Sequence, residues 1–296
     1  FLMAGQDQNQ SNIKPWDGSA VFFELRPLDG PQAPMPDKLL ALLRVVWEEL
    51  HCAGALILNS HWEAEAALVA EIEKRVNAEV ICCGPLIPSV KCSDRTTEDS
   101  GAIQWLDLQK AGSVIYIGFG SLVTPAPEQL REIAKALIIL KKPFLWSLKP
   151  VFHEHLASEL ACKESRGKVC SWVPQQEVLM HKSVGLVLHH GGWGATQQTL
   201  TAGKPALVWL MASDEKMAAK YLVEKGAALM MEGTGVSAER LVQAEEIVKA
   251  LVDVETTCKE GAESWGRKLR ISLEDGGASQ IELERLANLV TKVCCS

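Results

Sequence analysis

From residue 114 onward, short unbroken apolar runs alternate with longer segments whose apolar positions recur every three or four residues. The runs Val114–Phe119, Phe144–Leu148, Val169–Trp172, Gly185–His189, Ala206–Trp209 and Ala227–Met231 predict strands. Between them the 3.6-residue period predicts helices over Pro127–Leu140, from about Ala195, from about Asp214, and over Ser237–Val252 with Ser237 as N-cap. Strands that are apolar throughout and alternate with helices imply a parallel sheet covered on both faces. The fold class is therefore α/β, a doubly wound, Rossmann-like domain. Ligands in such folds sit at the carboxyl ends of the strands. Phe119-Gly120-Ser121, Trp172 and His190-Gly191-Gly192 all fall there.

The first third is patterned differently. Phe1 to about Pro36 is rich in Gln, Asn, Pro and Gly and reads as loop, with one candidate strand at Ala20–Leu25. An amphipathic helix is predicted from Asp37 (Leu39, Leu40, Leu42, Leu43, Val46, Trp47, Leu50), then a strand at Ala55–Asn59 and a helix at Glu63–Val76. A further strand, Val80–Cys83, stops at Gly84-Pro85, and the polar stretch from Pro88 to Ser100 reads as a linker. The tail predicts two helices broken at Gly276-Gly277. The last, Ser279–Val293, carries an apolar face (Ile281, Leu283, Leu286, Leu289, Val290, Val293) that needs a packing partner.

Composition narrows the function classes. A net charge of −7 argues against a phosphate-backbone binder, so no nucleic-acid partner is expected. The nine cysteines lack C-x-x-C spacing, and two of the pairs are adjacent in sequence, which points to reduced thiols and a cytoplasmic setting. No apolar run reaches the ~18 residues of a membrane helix, and the first ten residues lack the basic region of a signal peptide. The chain opens on Phe1 rather than Met, which suggests a piece of a longer protein. Neither an Asp-x-Asp pair nor a His/Cys cluster with ligand spacing is present, so no metal is expected.

The densest chemistry lies between Trp172 and Glu215. An indole offers a flat face for a base, and a glycine turn ahead of a helix offers backbone N–H groups for phosphates. The acidic pair Asp214-Glu215 offers acceptors for sugar hydroxyls. Taken alone, Trp172 reads as an ordinary core indole and Asp214 as a helix N-cap. Together and in this order the residues suit a nucleotide diphosphate carrying a sugar.

This segment resembles the donor-binding signature of plant-type family-1 UDP-glycosyltransferases, enzymes of GT-B fold that move a sugar from a UDP-sugar onto a small lipophilic acceptor. AGALILNSHWEAE, CGPLIP, IQWLDLQKAGSVIYIGFGSLVTPAPEQL and EDGGASQIELERLANLV extend the similarity from about Leu39 to the C-terminus. The resemblance implies that Trp172 stacks on uracil, with the Val173 backbone pairing to the base edge. Gln175 would reach the ribose, and Ser121, His190, Gly192 and the turn after it the diphosphate. Trp193, Asp214 and Glu215 would face the sugar hydroxyls. It further implies residues 1–88 as a remnant of the acceptor domain, 89–101 as interdomain linker, 102–275 as the donor domain, and 276–296 as a helix returning toward the first domain.

The chain departs from the family pattern at four ligand-facing positions. Gly194 and Ala195 stand where the family has Asn and Ser, Gln198 where it has a Glu that accepts both ribose hydroxyls, and Glu215 where it has Gln. The family's general-base histidine, in a Gly-His-x-x-Pro setting, has no counterpart, and neither His51 nor His61 takes its place, so no catalytic residue is assigned. The expected function is transfer of a hexose, glucose by default, from a UDP-sugar to an acceptor hydroxyl with inversion, without metal or other cofactor. The alternative is a non-catalytic nucleotide-sugar-binding or interaction protein derived from the same family. A dinucleotide oxidoreductase rests only on Gly118-Phe119-Gly120, which lacks the third glycine of that fingerprint.

Overall fold

The computed structural model describes residues 45, 54–74, 78–86, 101–121, 123–156, 166–211, 215–235 and 240–294. The candidate strand at Ala20–Leu25, the helix from Asp37, nearly all of the linker and Asp214 lie outside the described residues. The chain divides into two compact units, residues 1–87 with 271–296, and residues 88–270.

In the first unit β1 (Ala55–Leu58) runs parallel to β2 (Glu79–Cys82), with α1 (Trp62–Glu73) crossing between them. Val69, Ile72, Val80 and Cys82 form its core. Cys82 and Cys83 are buried free thiols, and burial, with the nearby Glu65 carboxylate, pushes the Cys82 thiol up to about 12. The closing helix α9 (Ala278–Cys294) packs on β2 and α1, and Arg285 reaches Glu79 at 2.7 Å. The packed side of α9 is narrower than the six apolar positions suggest. Leu286 and Leu289 are partly covered, whereas Ile281, Leu283 and Val290 stay exposed. At 3.6 residues per turn, 282, 286 and 289 share a face and 281, 283 and 290 fall off it.

The second unit holds a six-stranded parallel sheet of order β5-β4-β3-β6-β7-β8. The strands are β3 (Val114–Gly118), β4 (Phe144–Ser147), β5 (Gly167–Cys170), β6 (Val184–His189), β7 (Ala206–Val208) and β8 (Ala228–Met230). Ile115, Ile117 and Phe119 point to one face, where they pack with α3 (Pro127–Leu140) and α7 (Ala244–Thr257). Helix α3 starts with Pro127 in its first turn and buries Leu130, Ile133, Ala134 and Leu137, one stripe of a 3.6-residue helix. Val114, Tyr116 and Gly118 alternate to the other face, the side of α4 (Gln175–Met180). Helix α5 (Trp193–Ala202) packs beside α4 and α6 (Glu215–Glu224). Two further helices are α2 (Ala102–Asp107), against β5, and α8 (Lys259–Ser272), whose Arg270 donates to the Thr201 carbonyl at 2.8 Å.

One helix start differs from expectation. The helix predicted from Ser237 begins at Ala244, with Gln243 and Glu246 forming a reciprocal capping box. The α3 side chains fix this start. The Gln129 amide exchanges two hydrogen bonds of 2.9 Å with the Val242 backbone, and Glu132 accepts from the Ala244 N–H at 3.0 Å. These tertiary acceptors outweigh the local preference for Ser at an N-cap.

Candidate functional site

The strand order reverses between β3 and β6, which are neighbours although β4 and β5 intervene in sequence. The chain leaves β3 toward β4 on one side and β6 toward β7 on the other, which opens a crevice at their carboxyl ends. Two glycine turns line it. Gly120, after β3, has φ +74°, and Gly191, after β6, has φ +91°, a backbone region that side chains rarely enter. They also make room for His190. A Cβ on Gly120 would stand 2.7 Å from His190 Cε1, and one on Gly192 2.5 Å from His190 Nε2. Glycines from two strand ends thus hold one imidazole between them, and Ser121, the next residue after Gly120, lies exposed at the mouth.

Gly192 is the N-cap of α5 and contributes no side-chain cap; the first helical bond runs from Thr196 N to Gly192 O at 2.9 Å. The N–H groups of the first turn therefore have no intrahelical acceptor, and the helix end favours an anion. Gly194 is exposed, and a Cβ there would meet nothing within 4 Å. Ala195 is half-buried on the next step of the same turn.

Beneath the turn, His189 is buried and its Nδ1 accepts the Gly191 N–H at 3.0 Å. Burial first, then the adjacent His190, holds its pKa down to about 3, so the ring is neutral with its proton on Nε2. The unfolded-state value near 6.5 is higher, so the unfolded chain binds the proton first as pH falls. Stability contributed by neutral His189 is complete above about pH 6.5 and is lost progressively down toward about pH 3. Between pH 7 and 5 this one group is expected to remove up to ~2 kcal/mol. Urea melts at both pH values check it. His189→Gln keeps an acceptor for Gly191 but does not titrate, and should show a smaller pH effect than the parent; an unchanged difference would assign the acid sensitivity elsewhere.

Trp172 is not a core indole. It is 42% exposed, while Val173 beside it is buried. Three residues on, Gln175 opens α4 and donates from Nε2 to Gln198 Oε1 at 2.9 Å, while Tyr116 Oη donates to Gln175 Oε1 at 3.0 Å. Two residues assigned to a ribose by resemblance, one on α4 and one on α5, thus touch each other directly.

Trp193 packs edge-on against buried Tyr221 of α6, with ring centroids 5.3 Å apart. Glu215 begins α6 beside the glycine turn, its Cβ 3.4 Å from where a Gly191 Cβ would be. The Glu215 carboxylate accepts the Met211 N–H, and the residue is only 6% exposed. It ties down the loop after β7 and is turned inward, unlike the freely presented acceptor the sequence suggested. Of the predicted residues, contacts among the described residues gather the Gly120-Ser121 turn, His190, Gly192 and Glu215 around one turn, and join Gln175 to Gln198. Tyr116 and Tyr221 are the members that residue pattern did not single out. Tyr116 carried a signal, a phenol inside the apolar run VIYIGF; Tyr221 carried none.

The family model for UDP-glucoronosyl and UDP-glucosyl transferase matches residues 85–259, more than half of the chain. The chain belongs to this family. Linamarin synthase 1 of Manihot esculenta is 31% identical over 77% of this chain and 50% of its own length. Flavonol 3-O-glucosyltransferase F3GT2 of Actinidia chinensis var. chinensis is 39% identical over 52% of this chain and 34% of its own. Among solved structures, Medicago truncatula UGT71G1 complexed with UDP-glucose superposes with a TM-score of 0.70 at 26% identity, covering 85% of this chain and 57% of that one. A Siraitia grosvenorii transferase in complex with UDP gives 0.73 at 25% identity, over 86% and 64%. The chain thus spans about half or less of the length of these two curated relatives. These neighbours confirm the expected GT-B-like α/β class, here as one Rossmann-like unit and a smaller second one. Among the described residues no helix is long and apolar enough to cross a membrane, and no group of three His, Cys, Asp or Glu could hold a metal ion.

Proposed function

We propose that this chain binds a UDP-sugar in the β3/β6 crevice and serves as the donor half of a glycosyltransferase that moves a hexose, glucose by default, to a hydroxyl of a small lipophilic acceptor. The supporting observation is the juxtaposition at the switch point of His190, clamped by Gly120 and Gly192, with the N-terminus of α5. A diphosphate there meets backbone N–H groups and a helix dipole, which stabilise the charge that UDP gathers as it leaves. Trp172 supplies an exposed indole for the uracil, with the Val173 backbone at the base edge. Gln175 and Gln198 face the ribose, Ser121 and His190 the phosphates, and Trp193 the hexose; the resemblance assigns Asp214 and Glu215 to the hexose as well, but the Glu215 carboxylate is engaged by the Met211 N–H and Asp214 lies outside the described residues.

In the inverting reaction a base takes the acceptor proton, and the resulting alkoxide attacks the anomeric carbon on the face opposite UDP. This chain assigns no residue to that base. His61 is fully buried and burial lowers its pKa to about 4, so it reaches no acceptor. Residues 1–88 are read as the remnant of an acceptor domain, 89–101 as the linker, 102–275 as the donor domain and 276–296 as the returning helix. The buried free thiols fit a cytoplasmic setting.

Titration calorimetry with UDP and UDP-glucose tests the donor site, and UDP release with a phenolic or flavonoid acceptor tests turnover. Micromolar binding is expected, and its absence overturns the enzyme reading. Trp172→Ala should weaken UDP binding by roughly 5- to 100-fold, the range for a lost base–aromatic stack. Because the indole is 42% exposed, the melting temperature should fall far less than the affinity. Equal loss of binding and stability would return Trp172 to a packing role. A second reading, binding without transfer, is favoured by the substitutions at Gly194, Ala195, Gln198 and Glu215. It predicts UDP binding without acceptor-dependent UDP release.

A further inference from the structure

Three polar side chains form a row from the sheet to the crevice. Tyr116 Oη donates to Gln175 Oε1, and Gln175 Nε2 donates to Gln198 Oε1. The row has a direction. A phenol carries one proton, and Tyr116 gives it to Gln175 Oε1. Gln175 must then present its carbonyl to Tyr116 and its N–H₂ to Gln198. Gln198 in turn has its oxygen engaged, and its own N–H₂ has no partner among the described residues.

What Gln198 offers a ligand is therefore mainly donors. A carboxylate at the same place is acceptor-only, with about four lone-pair sites. Such a group needs hydroxyl donors, and a missing hydroxyl leaves charge unsatisfied. An amide whose oxygen is already engaged loses little, because Gln198 is only half-buried and its N–H₂ can turn to water instead.

We propose that the Tyr116–Gln175–Gln198 row sets the pentose selectivity of the site, so that 2′-deoxyribose nucleotides bind nearly as well as ribose nucleotides. Tyr116 acts here as a positioning residue, since it touches no ligand and works through Gln175. The inference rests on the reading of the crevice as a UDP site.

The test is calorimetric titration of the 296-residue chain with UDP and with dUDP. The dUDP-to-UDP ratio of Kd is expected below ~10, the range of one neutral hydrogen bond. Gln198→Glu should raise that ratio to roughly 10- to 100-fold, the range for a bond to a charged group. Tyr116→Phe removes the proton that orients Gln175 and frees the Gln198 oxygen, so the ratio should rise ~2- to 10-fold. Three results overturn the proposal: strong discrimination in the parent chain, no change in Gln198→Glu, or a Tyr116→Phe variant that weakens both nucleotides equally. Tight UDP binding with dUDP excluded defeats the selectivity inference alone, whereas no binding of either nucleotide also defeats the UDP-site reading.

Discussion

The triple variant Gly194→Asn, Ala195→Ser, Gln198→Glu is expected to bind UDP up to roughly two to four orders of magnitude more tightly than the parent chain. Each substitution places a polar group at a position the resemblance assigns to the ligand. A neutral hydrogen bond contributes about 0.5–1.5 kcal/mol and one to a charged group about 1.5–3 kcal/mol. The three positions share one helix end, so their effects couple and the simple sum is an upper bound. The structure accommodates the changes. A side chain at 194 meets open space, and a carboxylate at 198 keeps the hydrogen bond from Gln175 Nε2. Calorimetry of parent and variant side by side decides the matter. A variant that binds UDP no better would mean that these positions do not face the nucleotide in this chain, and the site assignment would fall with it.

Gly120→Val is expected to act in the opposite direction and through geometry. At φ +74° a valine is strained by about 1–3 kcal/mol. Its Cβ would also occupy space now held by the His190 ring. The imidazole must swing away, and the proposed phosphate contact goes with it. UDP affinity should fall ~10- to 100-fold, beyond the loss of stability. Gly194→Ala is the matched control. It is equally a glycine-to-larger change in the same crevice, but it lies in a helix with nothing near its Cβ. It should leave stability unchanged or slightly raised, by up to ~1 kcal/mol. Melting temperature and UDP titration on both variants separate backbone strain from loss of the proposed phosphate contact. Equal behaviour of the two variants would show that His190 is not held by Gly120.

The contrast between those glycines also shows what a sequence can carry. Alternation of apolar strands with helices identified the parallel sheet, because a strand buried on both faces has no polar positions to spare. The positions of Gly120-Ser121, Trp172 and His190-Gly191-Gly192 just after apolar runs put the candidate site at the carboxyl ends of the strands, because residues following a strand fall at its end in any such sheet. Helix starts were less legible. Ser237 looked like a better local cap than Gln243, yet Gln129 and Glu132 on α3 supply the acceptors and donors that decide the register.

By itself the sequence determined the fold class, the family and the chemical types available in the crevice, since these follow from local period and residue identity. Only the tertiary structure decided which groups are free to act. It turned the Glu215 carboxylate onto the Met211 backbone, set Trp193 against Tyr221, and joined Tyr116 to Gln198 through Gln175. Those pairings link residues on different elements, brought together by the packing of α4, α5 and α6 beside the sheet. A hydrogen bond or ring contact depends on positions in space, and no spacing along the chain encodes it.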